Sequence, residues 1–170
     1  MNRAMDKVKT LWIVGTAYLM ASATVSAGTW SALESKSPTD GSYQVGAALL
    51  VGDAALILRC REQTTQAAFS TVHTYLGDGS VTVRFRINSE NPIKQVWRSS
   101  IDGRAAFAPN AEDFIRVLPD DGRVFIRAIA ADGNNKDANF ILSGLSEVRG
   151  NIARACNWAA PKDAVGRQHD

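Results

Sequence analysis

The chain has 170 residues, 45% hydrophobic and 21% charged, with 13 glycines and 5 prolines. This is the composition of an ordinary folded domain and excludes a disordered or collagen-like chain. The formal charge of +2 divides unevenly: residues 1–27 hold Arg3, Lys7 and Lys9 against Asp6, and taking these from 19 basic and 17 acidic side chains leaves 16 of each in residues 28–170. A neutral domain lacks the basic excess that supplies nonspecific nucleic-acid affinity or holds a protein on an anionic membrane, so neither partner is expected.

The first segment reads as a secretory signal peptide over residues 1–27. Its basic residues come first, Leu11 to Ala23 are apolar or small apart from Thr16 and Ser22, and Val25-Ser26-Ala27 places small residues at the −3 and −1 positions of a peptidase site. The apolar stretch is about 13 residues, short of the roughly 20 that a spanning helix needs. No cysteine lies near the cleavage position, so a lipoprotein anchor is not expected, and the product is expected to be periplasmic or secreted without a stable membrane anchor. Export also changes how thiols are read, because an oxidising compartment lets a pair close. Cys60 and Cys156 are the only two. Neither sits in a CxxC or a Cys/His metal spacing, so a structural Cys60-Cys156 disulfide is expected, against the alternative of two separate buried thiols.

Residues 28–160 read as one β-rich domain, followed by a flexible tail over residues 161–170. Short β-prone runs recur from Trp30 to Leu145. Ser42 to Val51 leads into a Gly52-Asp53 turn; Ala54 to Glu62 alternates Leu56, Leu58 and Cys60 against Ile57, Arg59 and Arg61; Gln66 to Thr74 runs up to Gly77-Asp78-Gly79. Ser80 to Ile87 has the clearest period of two, with Val81, Val83, Phe85 and Ile87 facing one way and Thr82, Arg84 and Arg86 the other. Further runs are Ile93 to Ser99, Ala105 to Ala108, Arg123 to Ala130 and Ala138 to Leu145. Ala111 to Leu118 has helical spacing, with Asn110 placed to cap it. Ser146 to Trp158 is the clear helix, with Ser146 as N-cap and Val148, Ile152, Ala155 and Cys156 on one face. The expected fold is therefore mainly β: an antiparallel, sandwich-like domain with a C-terminal helix tied to the sheet by the disulfide.

Candidate chemistry is sparse. A Ser/His/Asp triad would have to use His73, since His169 lies in the tail, and neither Ser70 nor Ser80 sits in a Gly-x-Ser-x-Gly turn. Glu112-Asp113 and Asp120-Asp121 lack the spaced ligands of a calcium loop, and Gly77-Asp78-Gly79, Asp102-Gly103 and Asp132-Gly133 are turn chemistry. No catalytic set, metal or cofactor is expected. Arginines at 59, 61, 84, 86, 98, 104, 116, 123 and 127 either build one guanidinium-rich sheet face that grips carboxylates or phosphates, or a solvated face paired to local acids. Trp30, Trp97 and Trp158 are either a binding platform or core, with core favoured for the last two. Polar stretches at Lys36, Ser37 and Asp40 and at Trp97, Arg98 and Ser99 are candidates for one partner-binding surface, with Arg84 and Arg86 as further candidates.

In order along the chain come Trp30, Lys36-Ser37-Pro38 with Asp40, Leu58-Arg59-Cys60, Val83-Arg84-Phe85-Arg86, Trp97-Arg98-Ser99-Ser100, Ala106-Phe107-Ala108-Pro109, Phe140 through Ser143-Gly144-Leu145, and Ala155-Cys156-Asn157-Trp158. This ordered set, covering residues 30–158, resembles the VasI-like family of type VI secretion-associated proteins. The resemblance implies an exported accessory or adaptor protein of the bacterial envelope, noncatalytic, whose partners are envelope or secretion-apparatus proteins. A cell-wall-binding module using the arginines, a secreted hydrolase and a phage-derived envelope protein are the alternatives.

Overall fold

The computed structural model describes residues 29–36, 41 and 43–159. The expected signal peptide, the tail, Ser37, Asp40 and His169 lie outside the described residues.

Nine antiparallel strands form one sheet: β1 (Trp30–Lys36), β2 (Tyr43–Val51), β3 (Ala54–Arg61), β4 (Thr64–Thr71), β5 (Ser80–Ile87), β6 (Ile93–Ser99), β7 (Ala105–Phe107), β8 (Arg123–Ile129) and β9 (Asn135–Ile141). The described residues also form two helices, α1 (Ala111–Val117) and α2 (Leu145–Ala155). The strand order is β1-β2-β3-β4-β7-β6-β5-β8-β9. Among the described residues three-residue β7 is the only strand that bridges a β1–β4 half and a β6-β5-β8-β9 half, pairing with β4 through Ala105–Phe107 and with β6 through Ala106 and Phe107. The sheet doubles over along this narrow join. Phe69 of β4 and Phe140 of β9, five places apart in the strand order, meet edge to face at 6.2 Å between ring centroids.

The period of two decides what enters the core. Leu56, Leu58 and Cys60 of β3, Val81, Val83 and Phe85 of β5, and Val124, Ile126 and Ala128 of β8 are all buried, while the residues between them are half-buried or exposed. α1 closes one side of this core: Phe114 meets Phe85 at 5.2 Å and Trp97 at 5.4 Å, both edge to face, the arrangement the ring quadrupoles favour. α2 packs on β2 and β3 through buried Leu145, Val148 and Ile152. Its end delivers Cys156 to Cys60 with Cα atoms 5.6 Å apart, and the disulfide closes a 96-residue separation. Beside it Asn157 donates to Gln63 at 2.9 Å, and the Trp158 indole N–H donates to Thr65 at 2.7 Å. The last helix is thus locked to the β3–β4 hairpin by covalent and polar contacts together.

Three local expectations are corrected. β9 begins at Asn135 instead of Ala138, because residues 135–137, poor strand formers in isolation, pair in register with Ile129, Ala128 and Arg127. α2 begins at Leu145 and its N-cap position is Gly144, with φ of 85°, so Ser146 lies inside the first turn. The buried Leu145 N–H bonds to the Leu142 carbonyl at 2.9 Å, which sets the start of the helix without a side-chain cap. Asn110 does occupy the N-cap position of α1, but its side chain makes no capping hydrogen bond.

Candidate functional site

The outward positions of the β6-β5-β8-β9 half gather cations from three strands. With Phe85, Trp97 and Ile126 turned into the core, alternation turns Arg84 and Arg86 of β5, Lys94 and Arg98 of β6, and Arg123 and Arg127 of β8 to the opposite face. Register then aligns them. Lys94 pairs with Arg84, Arg84 with Arg127, and Arg127 with Asp137, so three cations and one carboxylate form a single row across four strands. Ser80 pairs with Arg98, and Arg86 pairs with Phe125, which pairs in turn with Asn139.

Among the described residues only one of these cations is neutralised. Arg127 forks onto Asp137 with Nε–Oδ1 of 2.7 Å and Nη2–Oδ2 of 2.6 Å, and its guanidinium lies 5.8 Å from the Phe125 ring centroid. The hydrogen bond from Arg127 holds the Asp137 carboxyl below the usual carboxylate range, and the same contact raises Arg127. Arg84, Arg86, Lys94, Arg98 and Arg123 have no side-chain hydrogen bond or ion pair among the described residues. Like charges directly opposite one another destabilise a sheet, and the row from Lys94 to Arg127 carries that cost unrelieved except at Asp137. A neutral composition therefore conceals a segregated face, because the acids sit elsewhere: Asp53 is paired with Lys136, Glu112 with Arg116, and Asp120 with Arg149.

At one corner of this face an open hollow of about 370 Å³ is lined by Arg86, Asn88, Ser89, Arg123, Phe125 and Asn139. Its walls are held by backbone: the Asn88 N–H donates to the Arg123 carbonyl at 2.9 Å, and the Arg123 N–H donates to Asn88 Oδ1 at 3.0 Å.

The arginines, read as either one guanidinium-rich face or a solvated face paired to local acids, divide into separate groups. Arg84, Arg86, Arg98, Arg123 and Arg127 share the outward face of β6, β5 and β8. Arg59 and Arg61 belong to β3 in the other half, where Arg59 donates to Gln66 at 2.8 Å and to Gln44 at 3.3 Å. Arg104 donates to the Val72 carbonyl, and Arg116 pairs with Glu112 and lies 4.7 Å over the Trp158 ring.

Of the candidate surface joining residues 36–40 to 97–99, Ser37 and Asp40 lie outside the described residues, and Lys36 ends β1, paired with Tyr43. Trp97 is 0% exposed, its indole N–H donating to Gln95 at 2.9 Å, so it belongs to the core and offers nothing to a partner. Ser99 is half-buried with its hydroxyl donating to the Gly77 carbonyl, which ties the Gly77-Asp78-Gly79 turn down. Arg98 alone of that stretch is presented to solvent. Trp158 packs half-buried against the core, as does Trp30, whose Nε1 is buried without a partner among the described residues.

His73 is exposed and makes no hydrogen bond to Ser70 or Ser80 among the described residues. No group of three or more His, Cys, Asp or Glu gathers among them either. Lys94, Asn88, Phe125 and Asn139 escaped the sequence reading as site residues. The signal for Lys94 was its alternation with the inward-facing positions of β6, whereas Asn88 and Asn139 join the site only through cross-strand register. Comparison of the chain with known protein families, with curated proteins and with solved structures finds no match.

Proposed function

We propose that the protein is an exported accessory or adaptor protein of the bacterial envelope that binds an acidic partner protein through the outer face of β6, β5 and β8. The observation that carries this reading is the group of five cations on that face with no partner among the described residues. Charge complementarity identifies the partner: an acidic patch would relieve the repulsion within the row and would be steered to it from a distance of about one Debye length. Export is supported by the signal-like sequence of residues 1–27 and is compatible with the disulfide. No described helix is long and apolar enough to cross a membrane. The resemblance to the VasI-like family directs the search for the partner to envelope and secretion-apparatus proteins.

The test is crosslinked recovery from envelope extracts with the wild-type chain and with a folded Arg84→Glu, Lys94→Glu, Arg98→Glu variant. Recovery of an acidic envelope or secretion-apparatus protein, lost in the variant and at raised salt, is the expected result. Recovery that ignores the charge reversal overturns the reading. Sedimentation with purified peptidoglycan, lost on Arg84→Ala with Arg86→Ala, would overturn it in favour of a cell-wall-binding module.

A further inference from the structure

The hollow at the corner of the face differs in kind from the row of cations beside it. The row is a flat surface, suited to another surface. The hollow is concave, and its volume of about 370 Å³ falls within the size range of small-molecule sites. Its lining supplies two guanidiniums, two side-chain amides and one hydroxyl, with the half-buried Phe125 ring among them and no carboxylate. Glu90 belongs to the same β5–β6 turn but is not part of the lining. Such a lining is rich in donors and has two positive charges to satisfy.

The position of the two guanidiniums narrows the ligand. Asn88 continues the outward side of β5 past Arg86, and Arg123 begins the outward side of β8 two residues before Phe125, the register partner of Arg86. The two arginines are therefore diagonal neighbours on adjacent strands, about 7 to 8 Å apart at the backbone, and long side chains from both sides reach the space between. A carboxylate has two oxygens and one charge, which a single guanidinium fork already satisfies. A phosphate monoester carries up to two charges on three terminal oxygens, enough for both forks and an amide at once. The volume exceeds that of a bare phosphate, and the Phe125 ring offers a flat apolar surface for whatever the phosphate is attached to.

We propose that this hollow binds a phosphate monoester, with Arg86 and Arg123 on the phosphate oxygens, the Asn88 and Asn139 amides completing the donor set, and the body of the ligand against Phe125. The site is preorganised, because the two hydrogen bonds between Asn88 and the Arg123 backbone hold the β5–β6 turn against the start of β8. It lies on the same face as the adaptor reading but is tested at other residues, since that reading is tested at Arg84, Lys94 and Arg98.

The experiment is amide-detected NMR titration of the exported, disulfide-bonded protein at constant ionic strength, with phenyl phosphate, glucose 1-phosphate, inorganic phosphate and acetate. Saturable shifts confined to Asn88, Ser89, Arg123, Phe125 and Asn139 are expected with the esters, the tighter ester identifying the body as aromatic or sugar-like. Arg86→Gln is expected to weaken ester binding by about tenfold or more, with the rest of the spectrum unchanged. Arg84→Gln is expected to leave ester binding intact, which separates this site from the protein-binding row. Acetate binding as tightly as the esters overturns the proposal. So do shifts that spread over the whole face or persist in Arg86→Gln.

Discussion

The two halves of the sheet present outer faces of opposite character, although both are built by alternating strands that carry arginine. On the β1–β4 half one row across the sheet reads Ser31, Ala48, Ile57, Ala68 and Phe107, with Ala48 and Ala68 buried despite facing outward. The neighbouring row holds Gly46, Arg59 and Gln66, and there the guanidinium lies half-buried between two amides. Burial, and then the nearby Arg61 charge, pull Arg59 below its ordinary pKa. On the other half Arg84 stands in water between Lys94 and Arg127, and Arg86 is exposed beside Phe125. One residue type at the same period is thus structural in one half and an unspent charge in the other. What differs is the cross-strand neighbour, which is a glycine and an amide for Arg59 and a lysine and an arginine for Arg84.

The largest test of this contrast asks whether the neutral half depends on its lock. Cys60→Ala frees α2 from β3 and is expected to cost about 2 to 5 kcal/mol, through the entropy the disulfide removes from the unfolded chain. Denaturant unfolding should show this loss in the variant, and reducing agent should lower the stability of the wild type while leaving the variant unchanged. Equal stability of wild type and variant would show that the Asn157–Gln63 and Trp158–Thr65 contacts suffice alone.

Gly46 tests the same half at its tightest point. A Cβ there would lie 2.2 Å from the Leu58 carbonyl oxygen and 2.6 Å from the Arg59 Cα, both backbone atoms of the paired strand. Neither moves without opening the β2–β3 ladder, so Gly46→Ala is expected to cost about 1 to 3 kcal/mol by overpacking. Gly133→Ala is the comparison. Nothing lies within 4 Å of a Cβ at that turn, so its cost comes only from its φ of 82°.

The acid limb of stability sharpens the contrast from the other half. Hydrogen bonds from Arg127 and Lys136 hold Asp137 and Asp53 below the usual carboxylate range. A carboxyl with a lower pKa folded than unfolded stabilises the protein fully above its unfolded value of about 4, and the gain is lost as pH falls through the folded value. Denaturation midpoints should therefore fall below about pH 4, and Asp137→Asn should flatten that fall. The same substitution releases Arg127 to join the unpaired cations, so the salt dependence of partner binding should steepen.

How much of this was legible depended on the range of the contact. Alternation placed β5 at its observed bounds with Val81, Val83, Phe85 and Ile87 on one face, all of them buried, because burial in a strand needs only the period of two, and the run Ile93 to Ser99 coincides with β6. The disulfide followed from a count of two cysteines with an export-like leader. Partnership was not legible. Whether an outward arginine finds an amide, an acid or another cation depends on register between strands such as β5 and β8, thirty-five residues or more apart in sequence. Polar Asn135, Lys136 and Asp137 became strand for the same reason, and Trp97, a partner candidate for which core was also favoured, is core, with Phe114 of α1 against it.

The smallest expected effect is the most direct comparison of the two faces, because it changes one arginine on each. Arg59→Ala removes a half-buried side chain whose stem covers the strand and whose guanidinium satisfies Gln44 and Gln66. It is expected to cost about 1 kcal/mol, from lost packing and two amides left without their partner. Arg84→Ala removes an exposed charge lying between Lys94 and Arg127. Its effect should stay within about 0.5 kcal/mol and fall on the stabilising side, because a like-charge repulsion disappears on both flanks. Raising the salt should shrink the Arg84→Ala gain, since screening already weakens repulsion at the surface, and should leave the Arg59→Ala loss almost unmoved. Paired urea titrations at low and high salt measure all four values. A loss on Arg84→Ala equal to that on Arg59→Ala would show that the cationic row is structural, and the distinction between the faces would fail.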